Sequence, residues 1–265
     1  MFIFLNTCLK IYHISLISMK KTLLLFDIDG TLTLPRIKIS DDMVEMLHEI
    51  YDDDNIDMGF IDGSDFNKQK EQIGNENMDL FLWKFSDNGL TAYFENTLIH
   101  EKNITDFLGE DNYKRLVNVC LRVMSDIDIP IKRGNFIELR NGIINISPIG
   151  RSCSKEERDN FYLYDKKYKV RENIIKLISE ELFDLDLQYS IGDKISIDIF
   201  PKGLDKTYCL QFLEDKYEEI YFYGDKTDIG ENDYELYNDS RVNGFNVNRY
   251  TDTIKLLKNF CKNNF

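Results

Sequence analysis

Phe26-Asp27-Ile28-Asp29-Gly30-Thr31 sets two carboxylates two positions apart, directly after an apolar run and directly before Gly-Thr. Two acids so spaced can divide the labour of a phosphoryl transfer. Asp27 can attack phosphorus as a nucleophile and form an acyl-phosphate. Asp29 can protonate the departing oxygen and later take a proton from the incoming hydroxyl. The transferring group also needs its charge neutralised, and Mg²⁺ held by carboxylates does this, because a hard cation prefers oxygen ligands. Asp225, which ends Ile220-Tyr221-Phe222-Tyr223-Gly224-Asp225, can complete such a site, and Lys206 can add a point charge against phosphate. A bare D-x-D is more often a solvated acidic turn. The preceding apolar run, the following Gly-Thr and the second run ending in Gly-Asp argue against that reading here.

These side chains need a scaffold that gathers strand ends. Thr22-Leu23-Leu24-Leu25-Phe26 is a short continuous apolar run and predicts a buried parallel strand feeding a loop. Ser40 is placed to cap a helix carrying Met43, Met46, Leu47 and Ile50 at helical spacing. A second strand is expected to end near Ile61, before Asp62-Gly63-Ser64-Asp65, and a third to cover Leu80 to Phe85. Strand, polar turn, helix, strand is the rhythm of a doubly wound α/β sheet, whose ligands collect at the carboxyl ends of its strands.

The middle of the chain changes period. Ile137 and Leu139 alternate with Phe136, Glu138 and Arg140, and Ile195, Ile197 and Ile199 alternate with Ser196 and Asp198. Such alternation suits an antiparallel sheet with one buried face. Between these segments Val170, Ile174, Ile178 and Leu182 mark a helix. The reading is a core in two parts, residues 21–97 and 204–265, enclosing an α+β insertion at 98–203, with residues 1–20 as an N-terminal extension. Asn6, Lys10 and His13 interrupt that extension, which has no apolar run long enough to span a membrane.

Composition excludes several classes. At 265 residues, 43% hydrophobic and 30% charged, the chain reads as a soluble globular protein with a sizeable core. A net charge of −14 argues against nucleic acid and anionic membrane as partners. Five scattered cysteines without a C-x-x-C fit a reducing compartment, and three histidines without metal spacing disfavour zinc or Ser-His-Asp chemistry. An anionic ligand must then be met by a local basic cluster. Residues 132–158 supply one, with six basic side chains (Lys132, Arg133, Arg140, Arg151, Lys155, Arg158) against three acidic ones. Glu156 and Glu157 fall in the first turn of a helix that Ser154 would cap, which leaves the arginines available as planar forks for phosphate.

Phe26-Asp27-Ile28-Asp29-Gly30-Thr31-Leu32-Thr33 resembles the first motif of the haloacid dehalogenase superfamily. The remainder, from about residue 21 to the C-terminus, is similar to the eukaryotic phosphomannomutases. The similarity is carried by Pro35-Arg36, Gly63-Ser64-Asp65-Phe66, Asn88-Gly89-Leu90, Lys132-Arg133-Gly134, Arg140-Asn141-Gly142, Asn145 through Ser154, Glu156-Glu157-Arg158 and Gly224-Asp225-Lys226-Thr227. The resemblance implies an α/β fold with a haloacid dehalogenase-type Rossmann-like core and an inserted α+β cap domain. It implies Asp27 as the phosphorylated nucleophile, Asp29 as general acid/base, and Mg²⁺ held by Asp27, Asp225 and Asp29 through its backbone carbonyl. Arg36, Arg140, Arg151, Arg158, Ser196 and Asp198 become sugar-phosphate contacts, Ser64 and Lys206 phosphate-stabilising groups, and Tyr237 and Asp239 ligands of a second, structural cation.

It further implies hexose phosphates as substrates, a hexose 1,6-bisphosphate as activator, and a cytoplasmic homodimer joined through the cap. The pathway role implied is supply of mannose 1-phosphate for GDP-mannose and protein glycosylation. The chain departs from the family pattern at Asp62 (usually small), Asp87 (usually Glu), Ile229 to Asp233 (one glycine fewer) and Val242 (commonly Thr). The acidic site would serve a Mg²⁺-dependent sugar-phosphate phosphatase equally well, so the choice of a mutase rests on the cap. A second phosphate site there would let a bisphosphate turn end for end. A non-catalytic scaffold is disfavoured by the intact Asp27, Asp29, Lys206 and Asp225.

Overall fold

The computed structural model describes residues 20–264 apart from Asp193. Residues 1–19 of the expected extension lie outside the described residues, and residue 20 already belongs to β1 (Lys20–Phe26). This strand sits in the middle of a seven-stranded sheet of order β11-β10-β1-β2-β3-β4-β5. Its neighbours are β10 (Tyr217–Gly224) and β2 (Ile56–Ile61), both parallel to it, so that Leu25 lies beside Phe222 on one side and Gly59 on the other. Parallel pairing continues to β11 (Asn243–Asn246) and to β3 (Trp83–Ser86).

The continuous apolar run of β1 follows from burial on both faces. Leu24 and Phe26 pack with Met43, Leu47 and Ile50 of α1 (Asp41–Tyr51) and Leu257 of α7 (Tyr250–Asn264). Leu23 and Leu25 turn the other way, onto Leu210, Leu213 and Leu236. Ser40 does occupy the N-cap of α1, but its hydroxyl makes no capping bond. The third strand starts later than the apolar pattern predicts. Residues 75–80 instead wind into a 3₁₀ helix that drives Met78 and Leu80 into the core beside Phe60 and Phe81.

A hairpin of β4 (Thr91–Phe94) and β5 (Thr97–Glu101) extends the sheet in antiparallel fashion, with Thr91 opposite Glu101. Residues 97–101 therefore hydrogen-bond into the seven-stranded sheet. The insertion holds α3 (Ile104–Asp126), β6 (Ile137–Leu139), β7 (Ile144–Ile146), α4 (Lys155–Tyr168), α5 (Val170–Glu181), β8 (Leu187–Ile191) and β9 (Ile197–Pro201). Its strands form an antiparallel sheet of order β6-β7-β9-β8. Ile144, Ile146, Ile197 and Ile199 from that sheet meet Leu116, Cys120, Ile174 and Ile178 from the helices. Leu139 does not share this core with Ile137. It ends the three-residue edge strand and stays 55% exposed.

Between the two sheets Leu90, Phe200 and Leu204 form a small apolar joint. Asp87 and Asn88 there adopt φ of +51° and +59°. The Asp87 carboxylate accepts a 3.0 Å bond from Asn141 of the insertion and a 3.3 Å bond from Thr91.

Two strands from β1, and level with Phe60 and Phe26 in register, Lys84 of β3 is 1% exposed and donates to the carbonyl of Glu95. Burial pulls its ammonium down to about 8, against the raising influence of Asp79 and Glu95. The native state thus binds fewer protons than the unfolded chain between about 8 and the ordinary lysine value of 10.5, and native stability rises with pH across that window. Lys84→Met removes this term. The stability of that variant relative to the unaltered protein, from urea transitions followed by the fluorescence of Trp83, is expected to fall steadily from pH 8 to pH 10.5. A flat difference would contradict the assignment.

Candidate active site

Asp27 is the first residue past β1, and its N–H still donates to Tyr223 O of β10 at 2.9 Å. The side chain is therefore delivered at the carboxyl end of the sheet centre, 3% exposed. Facing it is Lys206, which opens a 3₁₀ helix at residues 206–212 capped by Asp205. The Lys206 ammonium is fully buried and donates to Asp27 Oδ1 at 2.5 Å and to Asp233 Oδ1 at 2.7 Å. Burial alone would lower its pKa, but Asp233 and Asp27 together overcome this and hold it above the ordinary value. Asp233 is further tied by its backbone N–H to Lys226 O at 2.9 Å, while its Oδ2 accepts from Lys226 N at 3.0 Å.

Asp27, Asp225 and Asp233 bring one carboxylate oxygen each to within 4.8 Å of one another. Burial pushes Asp27 well above the usual carboxylate range; Lys206 opposes this, and Asp233, Asp62 and Asp225 repel in the same raising sense. Burial likewise lifts Asp225 to about 6, with Lys226 opposing. Asp27 Oδ2 is buried and has no hydrogen-bond partner among the described residues. Gly30, at φ +92°, lies so close that an added Cβ would sit 2.2 Å from Asp225 Oδ2. One ammonium thus faces three carboxylates, one of which has an unengaged oxygen. That donor set of hard oxygens with surplus negative charge fits a divalent cation such as Mg²⁺.

Asp29 is half-buried and its carboxylate stands outside this cluster. Its Oδ1 accepts from the backbone N–H of Arg36 at 2.8 Å and from Gln72 Nε2 at 2.6 Å. Two donors on one oxygen orient the group as an acid/base would need. Arg36 reaches this network through its backbone, at φ +61°, with its side chain exposed. Ser64, past β2, gives both its N–H and its hydroxyl to Asp62 Oδ2. Tyr237, expected with Asp239 at a second cation, follows the acidic cluster in the chain, and its N–H donates to Asp233 O at 2.8 Å. Arg241 chelates Asp239 through both carboxylate oxygens, at 2.9 and 2.8 Å.

The insertion gathers the other expected residues on β6, β7, β9 and the start of α4. Arg140 binds Glu138 at 2.8 Å and Arg151 approaches the same carboxylate at 3.3 Å. Arg151 also donates to Asn145 Oδ1, Asn145 donates to Asp198 Oδ1 at 2.5 Å, and Arg158 donates to Arg151 O at 3.0 Å. The capping box of Ser154 and Glu157 fixes the start of α4, which carries Arg158. Burial pulls the Arg151 guanidinium down, Glu138 resists, and Arg140 and Arg158 add repulsion. Two guanidinium groups therefore share the Glu138 carboxylate, and a third, that of Arg158, sits behind Arg151 on its carbonyl oxygen. Asp198 of β9 and Ser196 (6% exposed), which directly precedes that strand, stand beside this cluster. Lys68 of α2 (Phe66–Ile73) in the core is near enough to help lower the pKa of Glu138, against which burial acts.

Sequence reasoning missed Asp233, Glu138 and Asn145 as participants. Asp233 had a usable signal, an acid following the Gly-Asp strand end within the polar stretch from Thr227 to Asn232. The other two owe their places to strand register, with Asn145 opposite both Glu138 and Asp198. Since Asp233 contributes to the acidic cluster and Asp239 does not, Asp233→Asn is expected to weaken Mg²⁺ binding roughly 10–100-fold in a calorimetric titration. Asp239→Asn is expected to change it by less than about twofold. Equal losses in the two variants would refute the assignment.

A family model for eukaryotic phosphomannomutases matches residues 43–263. Phosphomannomutase 1 of Dictyostelium discoideum is 48% identical over 238 residues, covering 89% of this chain and 95% of the relative. The phosphomannomutase of Saccharomyces cerevisiae is 46% identical over 238 residues, covering 89% and 93%. Among solved structures, a Plasmodium falciparum IMP-nucleotidase superposes with a TM-score of 0.62 at 14% identity, covering 91% of this chain and 68% of its own. A trehalose-6-phosphate phosphatase related protein superposes with a TM-score of 0.51 at 15% identity, covering 90% and 96%. These two likenesses speak for the haloacid dehalogenase-type core-and-cap fold. The sequence matches go further, and by them the chain belongs to the eukaryotic phosphomannomutase family.

Proposed function

We infer that the protein interconverts mannose 6-phosphate and mannose 1-phosphate through a phosphorylated Asp27 and a hexose 1,6-bisphosphate intermediate. The observation that carries the second half of this reading is the grouping of Arg140 and Arg151 on Glu138, with Arg158 bonded to Arg151 O and Asp198 joined to Arg151 through Asn145. A phosphatase needs one phosphate site; this chain has the makings of two. The distal phosphate would displace Glu138 and take the arginine forks. Ser196 and Asp198 would hydrogen-bond sugar hydroxyls.

Asp27 attacks the phosphorus with the oxygen that Lys206 leaves unengaged, and Lys206 counters the charge that remains. Asp29 donates its proton to the leaving sugar oxygen and, after the bisphosphate turns over, removes one from the hydroxyl that accepts the phosphoryl group. Mg²⁺ held by the acidic cluster would supply further charge neutralisation on the equatorial oxygens. Closure of the insertion over the core excludes water and so protects the phospho-aspartate from hydrolysis. The cap-to-core bonds from Gln188 to Glu235, at 2.8 Å, and from Asn141 to Asp87 support that closed arrangement.

The reading includes a cytoplasmic homodimer. Among the described residues no helix is long and apolar enough to cross a membrane. The insertion exposes Leu121, Leu163, Leu177 and Phe183, apolar surface suited to a second copy. Light scattering is expected to return twice the mass of one chain, and the mass of a single chain would remove the dimer.

A coupled assay on both mannose phosphates, with and without hexose 1,6-bisphosphate, tests the chemistry. Isomerisation is expected to depend on the bisphosphate and to vanish in Asp27→Asn. Survival in that variant would sink the mechanism, and release of free phosphate faster than isomerisation would move the reading to a phosphatase. Arg158→Met is expected to raise KM roughly 10–100-fold, since a hydrogen bond to a charged group contributes about 1.5–3 kcal/mol.

A further inference from the structure

The corner between α4 and α5 holds an ion pair that the mechanism above does not use. Asp165 closes α4 and Arg171 opens α5; their side chains are 9% and 4% exposed. Arg171 Nε donates to Asp165 Oδ2 and Arg171 N to Asp165 Oδ1, both at 2.8 Å. An ion pair serving only the helix corner would end there. This guanidinium reaches onward, and its Nη1 donates to Gly192 O at 2.8 Å and Ser196 O at 3.2 Å. Those carbonyls lie at the connection between β8 and β9, which is also closed by Gly192 N donating to Ser196 O at 3.0 Å.

Gly192 stands against the two expected sugar contacts. A Cβ added to it would lie 2.7 Å from Ser196 Oγ and 3.2 Å from Asp198 Oδ2. Asp198 Oδ1 is already engaged by Asn145, so Oδ2 is the oxygen left to a ligand, and it shares the Gly192 methylene with the Ser196 hydroxyl. Arginine suits this task because its rigid fork serves a carboxylate and carbonyl oxygens together, which a single ammonium cannot reproduce.

We infer that Arg171, anchored on Asp165 and bonded to Gly192 O and Ser196 O, is a positioning residue that sets Ser196 and Asp198 for the hexose, and that Gly192 supplies the close approach this requires. The inference rests on the reading of Ser196 and Asp198 as sugar contacts. It gives the insertion a division of labour. Arg158, at the start of α4, faces the distal phosphate, and Asp165, at the end of the same helix, anchors the arginine that aligns the sugar-facing strand.

Gly192→Ala and Arg171→Lys test this. Gly192→Ala keeps the ion pair and adds a methyl group where Ser196 and Asp198 stand, so it remains informative even where Arg171→Lys destabilises the fold. Three quantities are measured for each: the Kd of mannose 6-phosphate by calorimetry, KM and kcat for isomerisation, and Mg²⁺-dependent hydrolysis of acetyl phosphate, a donor too small to reach the insertion. A misplacement of about 1 Å can cost ~10²-fold, so Kd and KM are expected to rise at least ~10-fold in both variants. Acetyl phosphate turnover is expected to stay within about twofold, a split that a loss of folded protein would not produce. Unchanged Kd and KM in Gly192→Ala would overturn the proposal, as would an equal loss of acetyl phosphate turnover. Absence of isomerisation in the unaltered protein would remove the mutase reading separately, while the calorimetric comparison would still decide the role of Arg171.

Discussion

One buried ammonium makes the centre of this molecule possible. Asp27 and Asp233 are almost wholly removed from water, and unpaired buried carboxylates would protonate or pull the site open. Lys206 binds both, from a segment that rejoins the core only after the entire insertion has been traversed. The compensation is deliberately incomplete in sign. Asp225 adds a third carboxylate, and Asp62 stands near enough to be felt by Asp27 and Lys206 alike. A centre left with that imbalance has the donor chemistry that suits a dication. The same ammonium pairs with Asp27 Oδ1 and leaves Oδ2 without a hydrogen-bond partner among the described residues.

The insertion answers the core with the opposite charge. Arg140 and Arg151 are held by Glu138 and Asn145, and Arg158 by the carbonyl of Arg151, so the three guanidinium groups are ordered by partners within the insertion. The joint formed by Leu90, Phe200 and Leu204 lies where the chain crosses between the two parts, and Lys102 N donates to Leu90 O at 2.9 Å beside the outgoing crossing. Asp87 and Asn88, in left-handed backbone at that joint, are where local geometry departs from regular structure.

Much of this was legible in the residue pattern, for reasons that differ by element. The uninterrupted apolar run of β1 reports burial on two faces, and the alternation of Ile195, Ile197 and Ile199 reports burial on one; both survive in the structure. The β4–β5 hairpin escaped notice because strands of four and five residues carry too few positions to establish a period. The expected third strand from Leu80 to Phe85 begins in an apolar run whose first residue, Leu80, instead closes a 3₁₀ helix and packs with Phe60 and Phe81, so that the strand starts at Trp83. At the site, Asp27, Asp29 and Asp225 were readable because strand ends place them. Asp233 and Arg171 were not, since their roles arise from partners distant in sequence, Lys206 for one and the β8–β9 connection for the other. Ser40 marks the reverse case, a residue whose position follows the helix-cap rule while its hydroxyl does not bond.

The order of the central sheet has a temporal consequence. β1 is made early, yet one of its two neighbours is β10, which leaves the ribosome only after all of the insertion has done so. The insertion, with its own sheet and core, can therefore condense while the central sheet still lacks β10 and β11. Asp27 waits through most of translation without Lys206 or Asp233. The acidic cluster is thus among the last features of the molecule to come into being, and a nascent or truncated chain would carry Asp27 without the ammonium that faces it in the finished fold.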